Sequence, residues 1–130
     1  MKDFVGIFDS GIGGLTVAEV IKDTLKDENI VYLADTLNCP YGIKTKEEIK
    51  KITLANIEYL KKLGAKAVVI ARNTATSSII EEIKSSNGYL IGVIEPTAKY
   101  ALNTSKTKKI GLFATNLTVS SKAYDAYLED

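Results

Sequence analysis

The sequence contains no histidine and no tryptophan, and it has a single cysteine, Cys39, among 130 residues. A chain without histidine lacks the commonest general base and the commonest metal ligand of proteins. A single cysteine excludes an internal disulfide, and a free thiol is typical of a reducing compartment. These absences favour a cytoplasmic protein and predict no metal site.

An excess of either charge is also missing, because 17 Lys and Arg residues face 16 Asp and Glu residues. This balance offers no basic surface for nucleic acid or for a membrane. The first stretch, MKDFVGIFDSG, turns polar at Asp9, too early for a signal peptide or a membrane-spanning helix. We therefore expect a globular chain without nucleic-acid or membrane partners.

Short apolar runs alternate with longer amphipathic stretches along the chain. Near-continuous apolar runs are typical of parallel strands covered on both faces. Five such units in succession predict an α/β fold, an open parallel sheet with βα repeats. The second helix has the clearest ends, a capping box of Thr45 with Glu48 and a terminating Gly64. The predicted strands are 4–8, 30–34, 67–71, 89–94 and 110–114, and the predicted helices are 14–26, 46–63, 75–86, 97–104 and 118–129.

Polar residues follow each predicted strand. In open α/β sheets, ligands bind beyond the carboxyl ends of the strands, so these residues are candidates for a binding site. They are Asp9-Ser10-Gly11, Asp35-Thr36, Arg72-Asn73-Thr74, Glu95-Pro96 and Thr115.

The stretch FDSGIGGLTV places a glycine-rich turn between a strand and a helix. Gly11 and Gly13 fit a dinucleotide fingerprint, but Thr16 stands where its third glycine belongs, and no Lys-Ser/Thr follows as in a P-loop. A nucleotide-binding module is thus supported by this turn alone. Asp9 would repel a phosphate and suits a cation such as a substrate ammonium. The alternative is that Asp9 or Ser10 only caps the helix.

Two further stretches have both a structural and a functional interpretation. In DTLNCPYG, the simplest interpretation is a surface turn with a packed Tyr41. In RNTATSS, Asn73 and Thr74 open a helix, either as caps or as a carboxylate site. Acids for an ammonium and a helix start for carboxylates together suggest a pocket for a free amino acid.

The stretches GIFDSGIGGLTV, DTLNCPYG, ARNTATSS, IGVIEP and IGLFATNLTVSSKAY occur in the order and spacing of glutamate racemases, and the chain resembles that family over essentially its whole length. The family makes D-glutamate for bacterial peptidoglycan. The resemblance implies two α/β lobes with glutamate in the cleft, no cofactor, and two cysteines that exchange protons on opposite faces of the α-carbon. It also implies that 1–95 form the first lobe, incomplete without a C-terminal segment, and that 96–130 begin the second.

The resemblance assigns roles to individual residues. Asp9 and Ser10 match the pair that contacts the substrate amino group, and Asp9 also supports the first cysteine. Asn73 and Thr74 match residues that bind a carboxylate. The implied substrate-binding residues are Asp9, Ser10, Tyr41, Gly42, Asn73, Thr74, Thr115 and Thr118.

The chain departs from the family at the first catalytic cysteine, where it has Arg72. Arginine cannot act as a general base near neutral pH, because its pKa exceeds about 12. We expect this larger side chain either to fill the pocket or to swing out of it. Cys39 lies in a different loop, and a single thiol could supply at most one of the two required bases. The second lobe's Cys-Thr-His is also absent.

Two functions are compatible with these departures. The first is a truncated glutamate racemase homologue, predicted to be inactive as the chain stands. The alternative is a non-catalytic glutamate- or carboxylate-binding regulatory protein in which Arg72 holds a carboxylate in a bidentate grip. In either case L- or D-glutamate is the expected ligand, and a homodimer partner or a missing C-terminal portion is expected to cover exposed apolar surface.

Overall fold

A parallel sheet forms the centre of the computed structural model, which describes residues 3–129. The sheet has the order β2-β1-β3-β4, and every neighbouring pair is parallel. The predicted parallel α/β fold is therefore confirmed. The strands are β1 Phe4–Asp9, β2 Asn29–Ala34, β3 Ala65–Ile70 and β4 Leu90–Gly92.

Seven α-helices and one short 3-10 turn, Tyr41–Ile43, occur within residues 3–129. The longest helix has the predicted bounds, and its capping box is confirmed. Glu48 N donates to Thr45 Oγ1 and Thr45 N donates to Glu48 Oε2, both at 3.2 Å. Gly64 ends it in the left-handed region, with φ at 107°. The helices are α1 Leu15–Thr24, α2 Lys46–Leu63, α3 Asn73–Ser78, α4 Ile80–Ser85, α5 Ile94–Thr104, α6 Asn116–Ser120 and α7 Asp125–Leu128.

The crossover connections place helices on both faces of the sheet. The β1-to-β2 connection runs one way along the sheet, whereas the next two connections run the other way, so right-handed crossovers put α1 opposite α2, α3 and α4. Phe4 and Phe8 of β1 pack in the cluster that includes α2, whereas Val5 and Ile7 pack with α1. All six residues of β1 are buried because both of its faces are covered. The Asp9 side chain, by alternation, faces α1.

An apolar groove of about 510 Å³ lies between α1 and α5 on the α1 face. Ala67 and Val69 of β3 and Ile91 of β4 line it. α1 is the one helix that a crossover of this sheet places on that face, since the other two crossovers run in the opposite direction.

The predicted fifth strand over 110–114 is wrong, because these residues form no strand. A strand exists only where a neighbouring backbone accepts and donates the ladder hydrogen bonds, and within residues 3–129 no neighbour pairs with this segment. Ile110 and Leu112 are partly exposed, and Phe113 is fully exposed. The apolar side chains of this segment favour burial, but a strand also requires a neighbouring strand to pair with.

Four other predicted elements also differ from the structure. The fourth strand is only Leu90–Gly92, and α5 begins at Ile94, so Pro96 lies inside its first turn, where the missing N–H costs nothing. The helix predicted over 97–104 therefore begins three residues earlier than expected. The helix predicted over 75–86 is divided at Ile79, with φ at −129°, and the one over 118–129 is divided at Lys122, which has a φ of 54°.

None of the helices within residues 3–129 is both long enough and apolar enough to cross a membrane.

Gly92, the last residue of β4, allows α3 and α4 to pack closely on the sheet. An added Cβ would lie 2.4 Å from Thr76 Cγ2 and 3.0 Å from Ile83 Cδ1. Thr76 cannot move freely, because its buried hydroxyl donates to Arg72 O at 2.7 Å. We predict that Gly92→Ala lowers the free energy of unfolding by about 1–3 kcal/mol through overpacking.

The measurement is urea unfolding followed by circular dichroism, with Gly111→Ala as the matched control because no atom lies within 4 Å of its added Cβ. Equal stability of the two variants would contradict the close packing at Gly92.

Candidate functional site

A cavity of about 470 Å³ opens at the carboxyl end of β3. Five of the residues predicted for the site line it, namely Arg72, Asn73, Thr74, Thr115 and Thr118. They come from two segments about 40 residues apart in sequence, and the fold brings these segments together where the sequence placed the site.

A chain of hydroxyl groups joins α3 to the start of α6 beside this cavity. Thr74 Oγ1 lies 2.7 Å from Thr115 Oγ1, and Thr115 Oγ1 lies 3.1 Å from Thr118 Oγ1. Ser77 Oγ donates to Thr118 Oγ1 at 3.4 Å. Thr74 and Thr118 are buried. Each hydroxyl can donate or accept a hydrogen bond, so these side chains can offer donors to a ligand oxygen while they stay uncharged.

Asn73 lines the cavity from the first position of α3. Tyr124 OH donates to Asn73 Oδ1 at 2.5 Å, which orients the amide and leaves its Nδ2 donors for a ligand. Burial raises the pKa of Tyr124, so its hydroxyl remains a donor at neutral pH. Tyr124 was not predicted as a site residue, although it closes the last of the family-like stretches. α3 has only six residues, so the carboxylate affinity expected of its helix start depends on these side chains.

Asp9 lies at the end of β1, next to the cavity, and is fully buried. Its Oδ2 accepts from Gly14 N at 2.5 Å and from Tyr32 OH at 2.8 Å. Gly14 is itself the N-cap of α1, and this helix has no side-chain cap hydrogen bond, so the contact fixes the glycine turn to the end of β1 and does not cap the helix. Burial, and then the hydrogen bond to Asp9, raises the pKa of Tyr32, which keeps its hydroxyl as a donor. Tyr32 was not predicted as a site residue because it lies inside an apolar run that predicts a buried strand.

Arg72 forms an ion pair with the buried carboxylate of Asp9. Its Nε lies 3.2 Å from Asp9 Oδ1. The N–H direction is unfavourable for a hydrogen bond, so Oδ1 has an ion-pair partner but no hydrogen-bond donor within residues 3–129. About 46% of the Arg72 side chain is exposed, and its Nη1 lies where a Cβ on Gly13 would be only 2.7 Å away. The guanidinium therefore lies against the glycine turn at the cavity wall and does not fill the cavity.

Four of the predicted substrate-binding residues do not line the cavity, namely Asp9, Ser10, Tyr41 and Gly42. Asp9 and Ser10 are buried. Gly42 is close to the cavity, since a Cβ added to it would lie 3.8 Å from Thr115 Cγ2.

Tyr41 belongs to the core, where it packs against Phe8 with 6.4 Å between ring centroids. Its hydroxyl donates to Asp35 Oδ2 at 2.6 Å, and Asn38 Nδ2 donates to both Asp35 oxygens at 2.9 Å. Asp35 thereby holds the loop from 35 to 42 in place. The interpretation of a packed tyrosine fits the Tyr41 side chain, and the loop backbone at Gly42 is the part that approaches the cavity.

Cys39 is exposed and is not among the cavity-lining residues. No group of three His, Cys, Asp or Glu side chains suited to a metal ion occurs in the part of the chain that the structure describes. Among the described residues, the polar side chains that line the cavity are hydroxyls, one amide and one guanidinium, a set that suits a carboxylate ligand.

A parallel α/β sheet with a polar cavity beyond its strand ends is the arrangement of a small-molecule-binding α/β protein. No protein-family model matches the chain. Curated sequences do match it. The chain is 41% identical to glutamate racemase of Exiguobacterium sibiricum, with 98% of this chain and 48% of that protein covered. It is 45% identical to glutamate racemase of Aquifex pyrophilus, with 97% and 50% covered.

Solved structures agree. Glutamate racemase of Bacillus anthracis superposes with a TM-score of 0.91 at 38% identity, with 98% of this chain and 48% of that chain covered. The Francisella tularensis glutamate racemase in complex with D-glutamate gives a TM-score of 0.81 at 34% identity, with 98% and 48% covered. The chain is thus similar to glutamate racemases over nearly its whole length, and it spans about half the length of the curated relatives it matches.

The Tyr41–Asp35 contact predicts an alkaline dependence of stability. Burial, and then the hydrogen bond to Asp35, raises the pKa of Tyr41 above its ordinary value of 10.0. The unfolded chain therefore loses this proton first, so the contribution of Tyr41 is complete below pH 10 and declines as the pH rises above it. We predict that Tyr41→Phe lowers the free energy of unfolding by about 1.5–3 kcal/mol at pH 7 and makes its decline above pH 10 shallower.

Urea unfolding from pH 7 to 11 measures both effects, with Tyr59→Phe as the control because that ring is 55% exposed. A native-like alkaline slope in Tyr41→Phe would show that this contact does not cause the decline.

Proposed function

We propose that this chain forms one half of a glutamate racemase-type site and binds a glutamate-sized dicarboxylic acid in the cavity at the end of β3. The function of such a site in the complete enzyme is the interconversion of L- and D-glutamate for peptidoglycan synthesis. Homology to glutamate racemases at 41–45% identity supports the family role. In keeping with that role, we propose a cytoplasmic location.

The observation that carries the proposal is the contact between Thr74 and Thr115. Both were assigned to the substrate site through the resemblance to glutamate racemases. Their hydroxyl oxygens lie 2.7 Å apart at the cavity wall, although 41 positions separate them. Asn73 Nδ2 supplies a further donor next to them. Such hydroxyl and amide donors suit the oxygens of a carboxylate.

Proton transfer is the step that this half does not perform alone. Racemisation through the α-carbon needs a base on one face and an acid on the other. Among the described residues, the cavity lining contains no thiol, no carboxylate and no imidazole. Arg72 stands in the place of the first thiol and stays protonated near neutral pH. We propose that residues 1–95 belong to the first lobe of such an enzyme and 96–130 to the start of the second.

We propose that another polypeptide segment or a second copy of this chain completes the cleft. Phe113 lines the cavity and is fully exposed, with Leu112 partly exposed beside it. An exposed apolar edge next to a ligand cavity favours a covering partner.

A carboxylate-binding regulatory protein is the second candidate function. The observation that favours it is Arg72, the single charged residue among those that line the cavity within residues 3–129. A guanidinium binds a carboxylate with two parallel hydrogen bonds, which a thiol cannot do.

Ligand binding tests the location of the site. We predict that saturation-transfer NMR detects binding of a five-carbon dicarboxylate to the native chain, and that Thr74→Val and Thr115→Val weaken it about 5- to 13-fold, since each removes a donor worth about 1–1.5 kcal/mol. Thr24→Val is the matched control, because Thr24 is exposed on α1 away from the cavity. Equal affinities in all three variants would place the ligand elsewhere.

Isotope exchange tests the missing chemistry. We predict no loss of the α-proton NMR signal of L- or D-glutamate in D₂O above the protein-free rate, because Arg72 is no base and no second base lines the cavity. Cys39→Ser is the control for the one thiol of the chain. Exchange that persists in Cys39→Ser would refute the prediction and point to another base.

A further inference from the structure

We propose that the cavity selects a dicarboxylate without an α-amino group, such as glutarate, over glutamate itself. The inference rests on the proposed function, namely that this cavity binds a glutamate-sized diacid. It concerns the class of ligand, and it follows from how Arg72 and Asp9 share the wall next to the cavity.

An amino-acid ligand brings an ammonium group, which needs an acceptor with negative charge. Within residues 3–129, none of the residues that line the cavity is an aspartate or a glutamate. Asp9 and Asp35 are buried carboxylates at this end of the sheet, and both oxygens of Asp35 accept hydrogen bonds from Asn38 and Tyr41. The resemblance assigns Asp9 to the substrate amino group. Asp9 is fully buried behind the cavity wall.

Both oxygens of Asp9 have a partner, although only Oδ2 accepts hydrogen bonds. Oδ2 accepts from Gly14 N and from Tyr32 OH at 2.5 and 2.8 Å. Oδ1 faces Arg72 Nε at 3.2 Å, so the guanidinium occupies the position beside Asp9 that a ligand ammonium would need. An ammonium brought to Oδ1 would also meet the positive charge of Arg72, and like charges in a partly desolvated site repel.

The same arrangement favours negative groups of the ligand. Arg72 is the only charged residue of the lining in the described part of the chain, and its contact with Asp9 Oδ1 is an ion pair without a hydrogen bond. Its fork of N–H donors is therefore available to a carboxylate. Asn73 Nδ2 and the hydroxyls of Thr74 and Thr115 supply donors on the other side. A volume of about 470 Å³ accommodates a five-carbon diacid.

Isothermal titration calorimetry of the full chain with glutarate and with L-glutamate at pH 7 tests the inference. We expect the native chain to bind glutarate at least 10-fold more tightly than L-glutamate. In Arg72→Cys, which removes the guanidinium and frees Asp9 Oδ1, we expect this ratio to fall at least 10-fold. Arg72→Lys keeps the positive charge without the planar fork, so glutarate should bind more weakly while the preference over L-glutamate remains.

Three results would overturn the inference. They are equal affinities of the native chain for the two acids, tighter binding of L-glutamate, and an unchanged ratio in Arg72→Cys. Circular dichroism establishes that each variant is folded, and Arg72→Gln replaces Arg72→Cys if the latter is not.

Failure of the proposed function has a different signature. If neither acid binds to the native chain or to Arg72→Cys, or if Thr115→Val leaves both affinities unchanged, the cavity is not a diacid site and the proposed function is refuted. If L-glutamate binds at least as tightly as glutarate and Thr115→Val weakens it, the proposed function holds and only the selectivity is refuted.

Discussion

A fully buried carboxylate at the end of the central strand is the constraint around which this edge of the sheet is organised. Asp9 ends β1, whose six residues are all buried, and a charge in that position requires partners. Gly14 N, Tyr32 OH and Arg72 Nε supply them from the glycine turn, from β2 and from the end of β3. Three segments are thus drawn to one point, and the cavity opens beside it.

Arg72 links the stability of this edge to its chemistry. In a glutamate racemase the corresponding thiol is expected to exchange the α-proton, and a guanidinium cannot replace it because it does not lose its own proton. It can, however, serve as an ion-pair partner for Asp9 and as a donor to a carboxylate. In the proposed site, Arg72 therefore supplies no base and favours negative groups of the ligand.

Local signals in the sequence predicted most of the fold. The capping box of Thr45 and Glu48 and the left-handed Gly64 set the ends of α2, because caps depend only on near neighbours. The apolar runs located four strands for the same reason. Residues 110–114 were wrongly predicted as a strand, because a strand needs a neighbouring strand to pair with and a local pattern does not show whether one is present. The predicted start of α5, after Pro96, was wrong because a proline is compatible with the first turn of a helix.

The sequence by itself determined that the chain is an α/β protein, that polar residues collect at the carboxyl ends of its strands, and that Arg72 is not a base. These properties follow from residue chemistry and from hydrophobic periodicity, both of which are local. Tertiary structure alone decided that Thr74 touches Thr115, that Tyr32 and Tyr124 support Asp9 and Asn73, and that Arg72 turns toward Asp9 instead of filling the cavity. Those contacts join residues 23 to 63 positions apart, and such distances are set by how the crossovers pack helices against the sheet.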